Sequence, residues 1–496
     1  MMPKSNKNLR LLLEERAARY PEKVFLISEA DGRSWTYAEF DRSVNRTSNF
    51  LLSNGIKKGD VVSLLLTNSA EYIIAYFACF KIGALAGPVN SLLKPEEVEF
   101  VTGNSESKLL LAGSEFADAL GNIQVPHTVI FDDHTQTAGA FSGELEPAEI
   151  GPEDDAIIIY TSGTTGKPKG CLLTHGNLIA NARQIAEWMD FGESDRLLTV
   201  MPLFHMNAVS VTTMTALYAG GSTVVSPKFS ASRFWDIIDK FEITSFGSVA
   251  TMLSMLLARP DGTKQAANKL RFAMCGSAPV PAELLRKFEK TFGCLVIEGY
   301  GLSESTCRST FNPPNENRRP GSCGRPIGNE MKVFDDENRE VPDGELGEIV
   351  LRGENIFKGY FKNPEATERA FAGGWFHTGD IGYRDADGFF YIADRKSDMI
   401  IRGGENIYPR EIDDILYTHP AVAAAAVIGV PDDLYGEEVA AFVVLKEGKT
   451  ATADELIEFC RAHLADYKCP RSVRFLDEIP KGPTGKLLKR ELSKLL

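Results

Sequence analysis

The stretch Thr161-Ser162-Gly163-Thr164-Thr165-Gly166-Lys167-Pro168-Lys169-Gly170 gathers four hydroxyls, two lysines and three glycines in ten residues. Glycines let a backbone turn its N–H groups to one side as an anion nest, hydroxyls add donors, and lysines add positive charge. That combination suits a polyphosphate. The spacing is not that of a Walker A loop, Gly-x4-Gly-Lys-Ser/Thr, because Pro168 follows Lys167 and Thr161 occupies the first glycine position. A second site of charge is the C-terminal tail. From Lys468 onward it carries eight basic residues (Lys468, Arg471, Arg474, Lys481, Lys486, Lys489, Arg490, Lys494) against three acidic ones (Asp477, Glu478, Glu491). On a chain of net charge −14, such a tail reads as meeting an anionic ligand.

The elements that must position these residues show in the hydropathy. Val61–Leu66, Ala156–Tyr160, Leu197–Met201 and Ser222–Ser226 read as short β-branched strands. Ala38–Asn54 and Asn177–Asp190 read as helices between them; Leu178, Ala182, Ile185 and Met189 make one apolar face, and Thr174 is a candidate cap. Strand–helix alternation predicts α/β layers with largely parallel sheets. Beyond about Asp394 the texture changes to a smaller α+β unit. Ala421–Val430, Val439–Leu445 and Ser472–Leu476 are strand-like, and Thr452-Ala453-Asp454-Glu455 is a capping box opening a helix through about Tyr467. The expected division is 1–394 and 395–496.

Composition excludes several classes. With 496 residues, 43% hydrophobic and 25% charged, the chain is of ordinary globular type and long enough for two domains. Lys+Arg number 54 against 68 Asp+Glu, which argues against nucleic acid as a partner. No run approaches the roughly 20 apolar residues of a membrane span, and none suits a secretory signal. Tyr72–Val89 is interrupted by Lys81, Gly83 and Gly87 and reads as a core helix followed by a strand. The last residues, Lys494-Leu495-Leu496, are not the terminal Ser-Lys-Leu of a peroxisomal address. None of the eight cysteines forms a Cys-x-x-Cys pair, which predicts reduced, buried thiols and a cytoplasmic protein. The histidines lack metal spacing.

Four further motifs follow the Thr161 loop in order: Tyr300-Gly301-Leu302-Ser303-Glu304, Thr378-Gly379-Asp380, Asp394-Arg395-Lys396-Ser397-Asp398 running into Gly403-Gly404-Glu405-Asn406, and Pro483-Thr484-Gly485-Lys486. Together the five resemble the adenylate-forming superfamily of acyl-CoA synthetases, peptide-synthetase adenylation domains and firefly-type luciferases, over nearly the whole chain. The resemblance implies a large α/β N-terminal domain and a small, mobile α+β C-terminal domain. It implies ATP, Mg2+ and coenzyme A as cofactors and a carboxylic acid as substrate, and it admits a homodimer. The acid attacks the α-phosphorus of ATP to give acyl-AMP and pyrophosphate; a thiol then attacks the acyl carbon and AMP leaves.

The resemblance assigns roles residue by residue. Thr161, Ser162, Gly163, Thr164, Thr165, Gly166, Lys167 and Lys169 hold the β- and γ-phosphates. Glu304 contacts magnesium, and Ser303, where the family usually has Thr, keeps a hydroxyl for the α-phosphate. Tyr300 stacks on adenine, with Gly301 beside it and Gly276, Ser277 and Ala278 on the other side. Asp380 accepts the ribose hydroxyls, Arg395 contacts the ribose and phosphate region, and Lys486 bridges the attacking carboxylate and the α-phosphate. His205 is the gate between acyl pocket and thiol tunnel. Ser397, where members commonly carry Asp or Lys, is the hinge, and Gly403 and Gly404 line the tunnel.

For the acid, the segments around Phe204–Ser210, Phe246–Thr251, Cys275–Ala278 and Gly299–Arg308 are rich in small residues and predict room for a fatty or similar apolar acyl group. In relatives resembling malonyl-CoA synthetases the position of Gly299 is basic, so Gly299 argues against a small dicarboxylate. Arg308 could bind a second charged group of the acid, but surface or structural pairing is the favoured reading. Further strings around Thr199–His205 and Arg318–Arg325 resemble bacterial fatty-acid and carnitine/crotonobetaine–CoA ligases. The alternative reading is an enzyme that loads a carrier protein, and a remoter one is a non-catalytic nucleotide binder.

Overall fold

The computed structural model describes residues 8–121, 123–124, 126–161, 168–259, 269–276, 280–480 and 488–495. Two sheets rich in parallel strands carry the first 330 residues. The nine-stranded sheet places Leu295–Tyr300, Phe272–Cys275, Ser245–Ser248, Arg196–Thr199, Ser222–Val225 and Val24–Ser28 side by side and parallel, with antiparallel strands at both edges. The seven-stranded sheet runs parallel from Asp155–Thr161 through Leu85–Pro88, Val61–Leu65 and Leu109–Ala112 to His127–Ile130, and turns antiparallel at Lys169–Thr174 and Gly359–Tyr360.

Strands buried on both faces must read as continuous apolar runs, and Val61–Leu65 and Leu85–Pro88 are buried at every position. The helix Ala70–Ile82 is buried all round, as the interrupted apolar run Tyr72–Val89 predicts. It is capped by the Ser69 hydroxyl at one end and left-handed Gly83 at the other. Its one lysine, Lys81, is buried and satisfied in the core by donating to Asp41 at 2.6 Å and Asn45 at 2.7 Å. Helix His175–Met189 begins at Thr174, whose side chain accepts from the Asn177 N–H while Asn177 bonds back.

Two features depart from expectation. The segment Glu330–Arg395 forms a separate four-stranded antiparallel sheet, Glu330–Phe334, Gly347–Arg352, Phe376–Arg384 and Phe390–Arg395. In the C-terminal unit the helix opened by Thr452 ends at Arg461 rather than near Tyr467. The apolar spacing continues through Leu464, but Arg461 and Arg471 both draw on the Asp466 carboxylate, and the chain turns extended at Ala465.

The hydrophobic cores separate along the chain. One runs from Leu9 to Phe390, and another begins at Ile400 and uses Ile412, Leu416, Val427, Val443 and Leu456. Phe390–Arg395 closes the four-stranded sheet, and an exposed turn at Lys396–Ser397 leads to the hairpin Ile400–Arg402 and Glu405–Ile407.

Candidate active site

Three elements from three sheets bring the motifs together. Tyr300 ends a strand of the nine-stranded sheet, Thr161 ends one of the seven-stranded sheet, and Asp380 and Arg395 are register partners on adjacent strands of the antiparallel sheet. The Tyr300 hydroxyl donates to Asp380 Oδ2 at 2.6 Å, and Arg395 Nε lies 3.1 Å from Asp380 Oδ1. Asp380 is 4% exposed. Its backbone N–H donates to the Thr378 hydroxyl, and the Gly379 N–H donates to Glu348. Burial and the neighbouring Asp380 carboxylate push the Tyr300 phenol well above its ordinary range, so it remains a donor.

Glu304 stands in a short 3-10 turn, Ser303–Ser305, just beyond. Its carboxylate accepts from the Tyr360 hydroxyl at 3.1 Å and the Thr161 hydroxyl at 3.5 Å. Burial raises its pKa, with Asp380 adding to the rise while Tyr360 and Arg395 oppose it. A carboxylate held in that state gains from a divalent cation. The donors around it, carboxylate and hydroxyl oxygens, are the hard ligands Mg2+ takes, so the residues fit the ion. The turn is strained: Thr306, β-branched and wholly buried, has φ +65° and is held by its hydroxyl bond to the Asn355 carbonyl at 2.7 Å. Lys169 sits 5.1 Å from the centroid of the Tyr360 ring. Nothing in the sequence ties Tyr360 to Glu304, 56 residues away; its role shows only once Gly359–Tyr360 pairs with the strand Lys169–Thr174.

Of the residues singled out in sequence, Tyr300, Glu304, Asp380, Arg395, Thr161 and Lys169 converge. Gly301 and Ser303 lie in the same turn, and Gly276 ends the neighbouring strand. Ser162, Gly163, Thr164, Thr165, Gly166, Lys167, Ser277, Ala278 and Lys486 lie outside the described residues. His205 stands against Phe204 with ring centroids 4.5 Å apart, its Nε2 unpartnered. Burial lowers its pKa to about 4, so the ring is neutral at physiological pH. Ser397 is exposed in the turn after Arg395. Gly403 and Gly404 form the two-residue loop of the hairpin Ile400–Ile407, both with positive φ, which that turn demands. No described hydrogen bond or ion pair joins them or His205 to the Tyr300–Asp380 group.

Arg308 corrects the sequence reading. It is neither on the surface nor paired: it is 1% exposed, no described carboxylate meets it, and its Nε has no partner. Two of the glycines counted as leaving room are covered by neighbouring side chains. A Cβ on Gly276 would meet Arg308 Nη1 at 2.5 Å, and one on Gly299 would strike the Phe311 ring.

Comparison with known proteins agrees with this geometry. Residues 13–361 match the family described as AMP-binding enzyme, and residues 411–486 match the AMP-binding enzyme C-terminal domain. The chain is 38% identical to a sulfoacetate–CoA ligase of Cupriavidus necator, covering 98% of this chain and 97% of that one. It is 35% identical to a crotonobetaine/carnitine–CoA ligase of Citrobacter koseri, covering 98% of each. ATP-bound MatB from Rhodopseudomonas palustris superposes with a TM-score of 0.93 at 31% identity, covering 98% and 99%. The chain therefore belongs to the family of AMP-binding enzymes, among its AMP-forming acyl-CoA synthetases.

Proposed function

We propose that this enzyme joins a short carboxylic acid to coenzyme A in two steps at one site. The acid carboxylate attacks the α-phosphorus of ATP to give acyl-AMP and pyrophosphate. The thiol sulfur then attacks the acyl carbon, and AMP leaves with the electrons of the acyl–oxygen bond. The observation that carries the reading is the convergence of Tyr300, Asp380, Arg395 and Glu304 from separate elements within hydrogen-bond and ion-pair reach.

The roles follow from chemistry. Asp380 offers two oxygens to the ribose hydroxyls, the bidentate acceptance a carboxylate supports. Tyr300 presents an aromatic face for adenine and fixes the Asp380 rotamer through its hydroxyl. Arg395 supplies a permanent positive charge beside the ribose and phosphate. Glu304, with the Thr161 hydroxyl beside it, would hold Mg2+, which offsets phosphate charge, while the Ser303 hydroxyl serves the α-phosphate. The motif assigns Lys486 the bridging of carboxylate and α-phosphate, and the loop from Ser162 to Lys167 the cradling of the outer phosphates.

For the second step the unit after about Asp394 turns about Ser397 and brings Gly403 and Gly404 to the thiol tunnel, with neutral His205 as gate. The separate cores on either side of Tyr391–Met399 support that division. Eight free cysteines, seven of them buried, fit a reducing, cytoplasmic setting. Arg308 and Phe311 stand over Gly276 and Gly299, which supports a short acid over a long apolar one.

The test is pyrophosphate release with ATP and Mg2+ across a panel of acids, with and without CoA. Release stimulated by CoA, with a thioester product, is expected. Release indifferent to CoA would replace this reading with carrier-protein loading.

A further inference from the structure

Arg308 is among the largest fully buried side chains of the protein. Its guanidinium cannot shed its proton and carries five donors. Among the described residues no acceptor reaches it, and its only neighbour of note is the Phe311 ring, 5.5 Å from Cζ to the centroid. Attraction to a ring face is weak against the cost of stripping water from a full charge. A cation so placed is complete only when an anion joins it.

The surroundings hold that cation ready. The Arg308 main chain is pinned by Asn181, whose Nδ2 donates to the Arg308 carbonyl at 2.6 Å, and by Asn355 at 3.2 Å. Asn181 in turn accepts from Ser210, at 2.9 Å, in the π-helix Asn207–Met214. Asn207, the first residue of that helix, is 5% exposed, and both ends of its amide are unpartnered. Wide π-turns of this kind recur at functional sites.

Both side chains lie over glycine. A Cβ on Gly247 would meet Asn207 Oδ1 at 2.8 Å, and one on Gly276 would meet Arg308 Nη1 at 2.5 Å. Gly247 is the register partner of Met274, and Gly276 lies two residues beyond Met274. The two glycines therefore face the same side of neighbouring parallel strands, at their carboxyl ends, where α/β sheets bind ligands. Arg308 is also four residues from Glu304, at the edge of the reaction site.

Resting on the ligase reading above, we propose that Arg308, with Asn207 over the neighbouring strand, receives a second oxyanion at the far end of the acid, a carboxylate or a sulfonate. The substrate is then a short dianion. One carboxylate is activated by ATP, and the other anionic group is held by the guanidinium fork, which matches two oxygens at once. Gly299 lacks the basic side chain that could have done this, and Arg308, over the neighbouring Gly276, takes its place.

The experiment compares kcat/KM for CoA-dependent pyrophosphate release on matched acids, sulfoacetate, malonate and succinate against propionate and butyrate. The proteins are wild type, Arg308→Met, Arg308→Lys and Asn207→Ala. Wild type should favour at least one dianion over the two monoanions by about 100-fold or more, as expected where a buried polar group is otherwise left unpaired. Arg308→Met should lose about that factor on the dianion while keeping or gaining rate on butyrate, which also shows that it folds. Arg308→Lys should fall between, and its selectivity decides the matter if the Met variant does not fold. Wild-type preference for the monoanions, or equal losses on both classes in Arg308→Met, would overturn this inference alone. Absence of CoA-dependent release with every acid would overturn the ligase reading and this inference with it.

Discussion

Replacing Asp380 by alanine isolates the ribose contact from the phosphate and metal contacts if the probe is AMP. A hydrogen bond to a charged group contributes about 1.5–3 kcal/mol, so two ribose hydroxyls on one carboxylate amount to about 3–6 kcal/mol. Both oxygens are already engaged, one by the Tyr300 hydroxyl and one by Arg395. Binding therefore trades some bonds for others, and the lower end applies. At about 1.4 kcal/mol per factor of ten, the AMP dissociation constant should rise about 100-fold. The fold should survive, because the Arg395 side chain is 37% exposed and can rehydrate when its partner is lost. Tyr300→Phe is the control: it keeps the carboxylate and the ring, removes only the hydroxyl, and should move AMP affinity by less than about tenfold. Calorimetric titration with AMP, alongside thermal melts of each variant, reads both numbers. A folded Asp380→Ala protein that binds AMP within threefold of wild type would refute the ribose assignment. So would a larger loss in Tyr300→Phe than in Asp380→Ala.

Glu304→Gln should raise the magnesium needed for half-maximal pyrophosphate release by about tenfold or more, with metal-free AMP binding nearly unchanged; a metal titration of activity checks it, and an unshifted midpoint counts against the metal role. Ser397→Pro should leave acid-dependent ATP–pyrophosphate exchange intact and slow thioester formation by about 100-fold, since proline fixes one backbone angle of the turning link; full overall turnover would remove the hinge assignment. His175 is wholly buried, accepts the Leu9 N–H at 3.2 Å, and burial lowers its pKa to about 4. The unfolded chain takes up this proton near pH 6.5 and the folded one only near pH 4, so stability is lost as pH falls through that window, by about 2–3 kcal/mol at pH 4.5. In His175→Asn the difference between urea unfolding at pH 7 and pH 4.5 should shrink by that amount; an unchanged difference would mean the acid limb lies elsewhere.

What the sequence disclosed follows the range of the interactions involved. Periodicity placed the helix His175–Met189 and its Thr174 cap because both are local. The buried strands Val61–Leu65 and Asp155–Thr161 showed as apolar runs for the same reason. The antiparallel sheet Glu330–Arg395 was not visible, since its strands are half exposed and interrupted by Gly and Asp turns. The helix beginning at Ala453 was read too long because ion pairs from Arg461 and Arg471 to Asp466 leave no trace in hydropathy. Arg308 is the sharpest case. Charge alone makes arginine a surface residue, and only the meeting of Gly276, Phe311 and Asn181 over the sheet shows that this one is inside. Tyr360 was missed because its partner Glu304 is distant in sequence and near only through strand pairing.

The position of the Asp380–Arg395 pair bears on how one site can serve two reactions. Asp380 and Arg395 are register partners on adjacent antiparallel strands, so their spacing is set by the sheet and not by the smaller unit that follows. Arg395 is the last residue of its strand, and the Lys396 N–H still donates to the Gly379 carbonyl at 2.8 Å. Lys396 also reaches Glu348, the residue that holds the Gly379 N–H. The first residue beyond these ties is Ser397, exposed, its hydroxyl donating to Asp398, whose N–H donates back to the Arg395 carbonyl. A rotation that begins at Ser397 therefore leaves the ribose carboxylate, its arginine and the adenine-facing tyrosine where they are. It moves only what lies downstream, Lys486 and Gly403-Gly404 included. On the proposed hinge, the nucleotide contacts assigned to both half-reactions would lie upstream of the turning point, and those assigned to one half-reaction downstream. A hinge even three residues earlier would have carried Arg395 away from Asp380 and released AMP before the thiol could arrive.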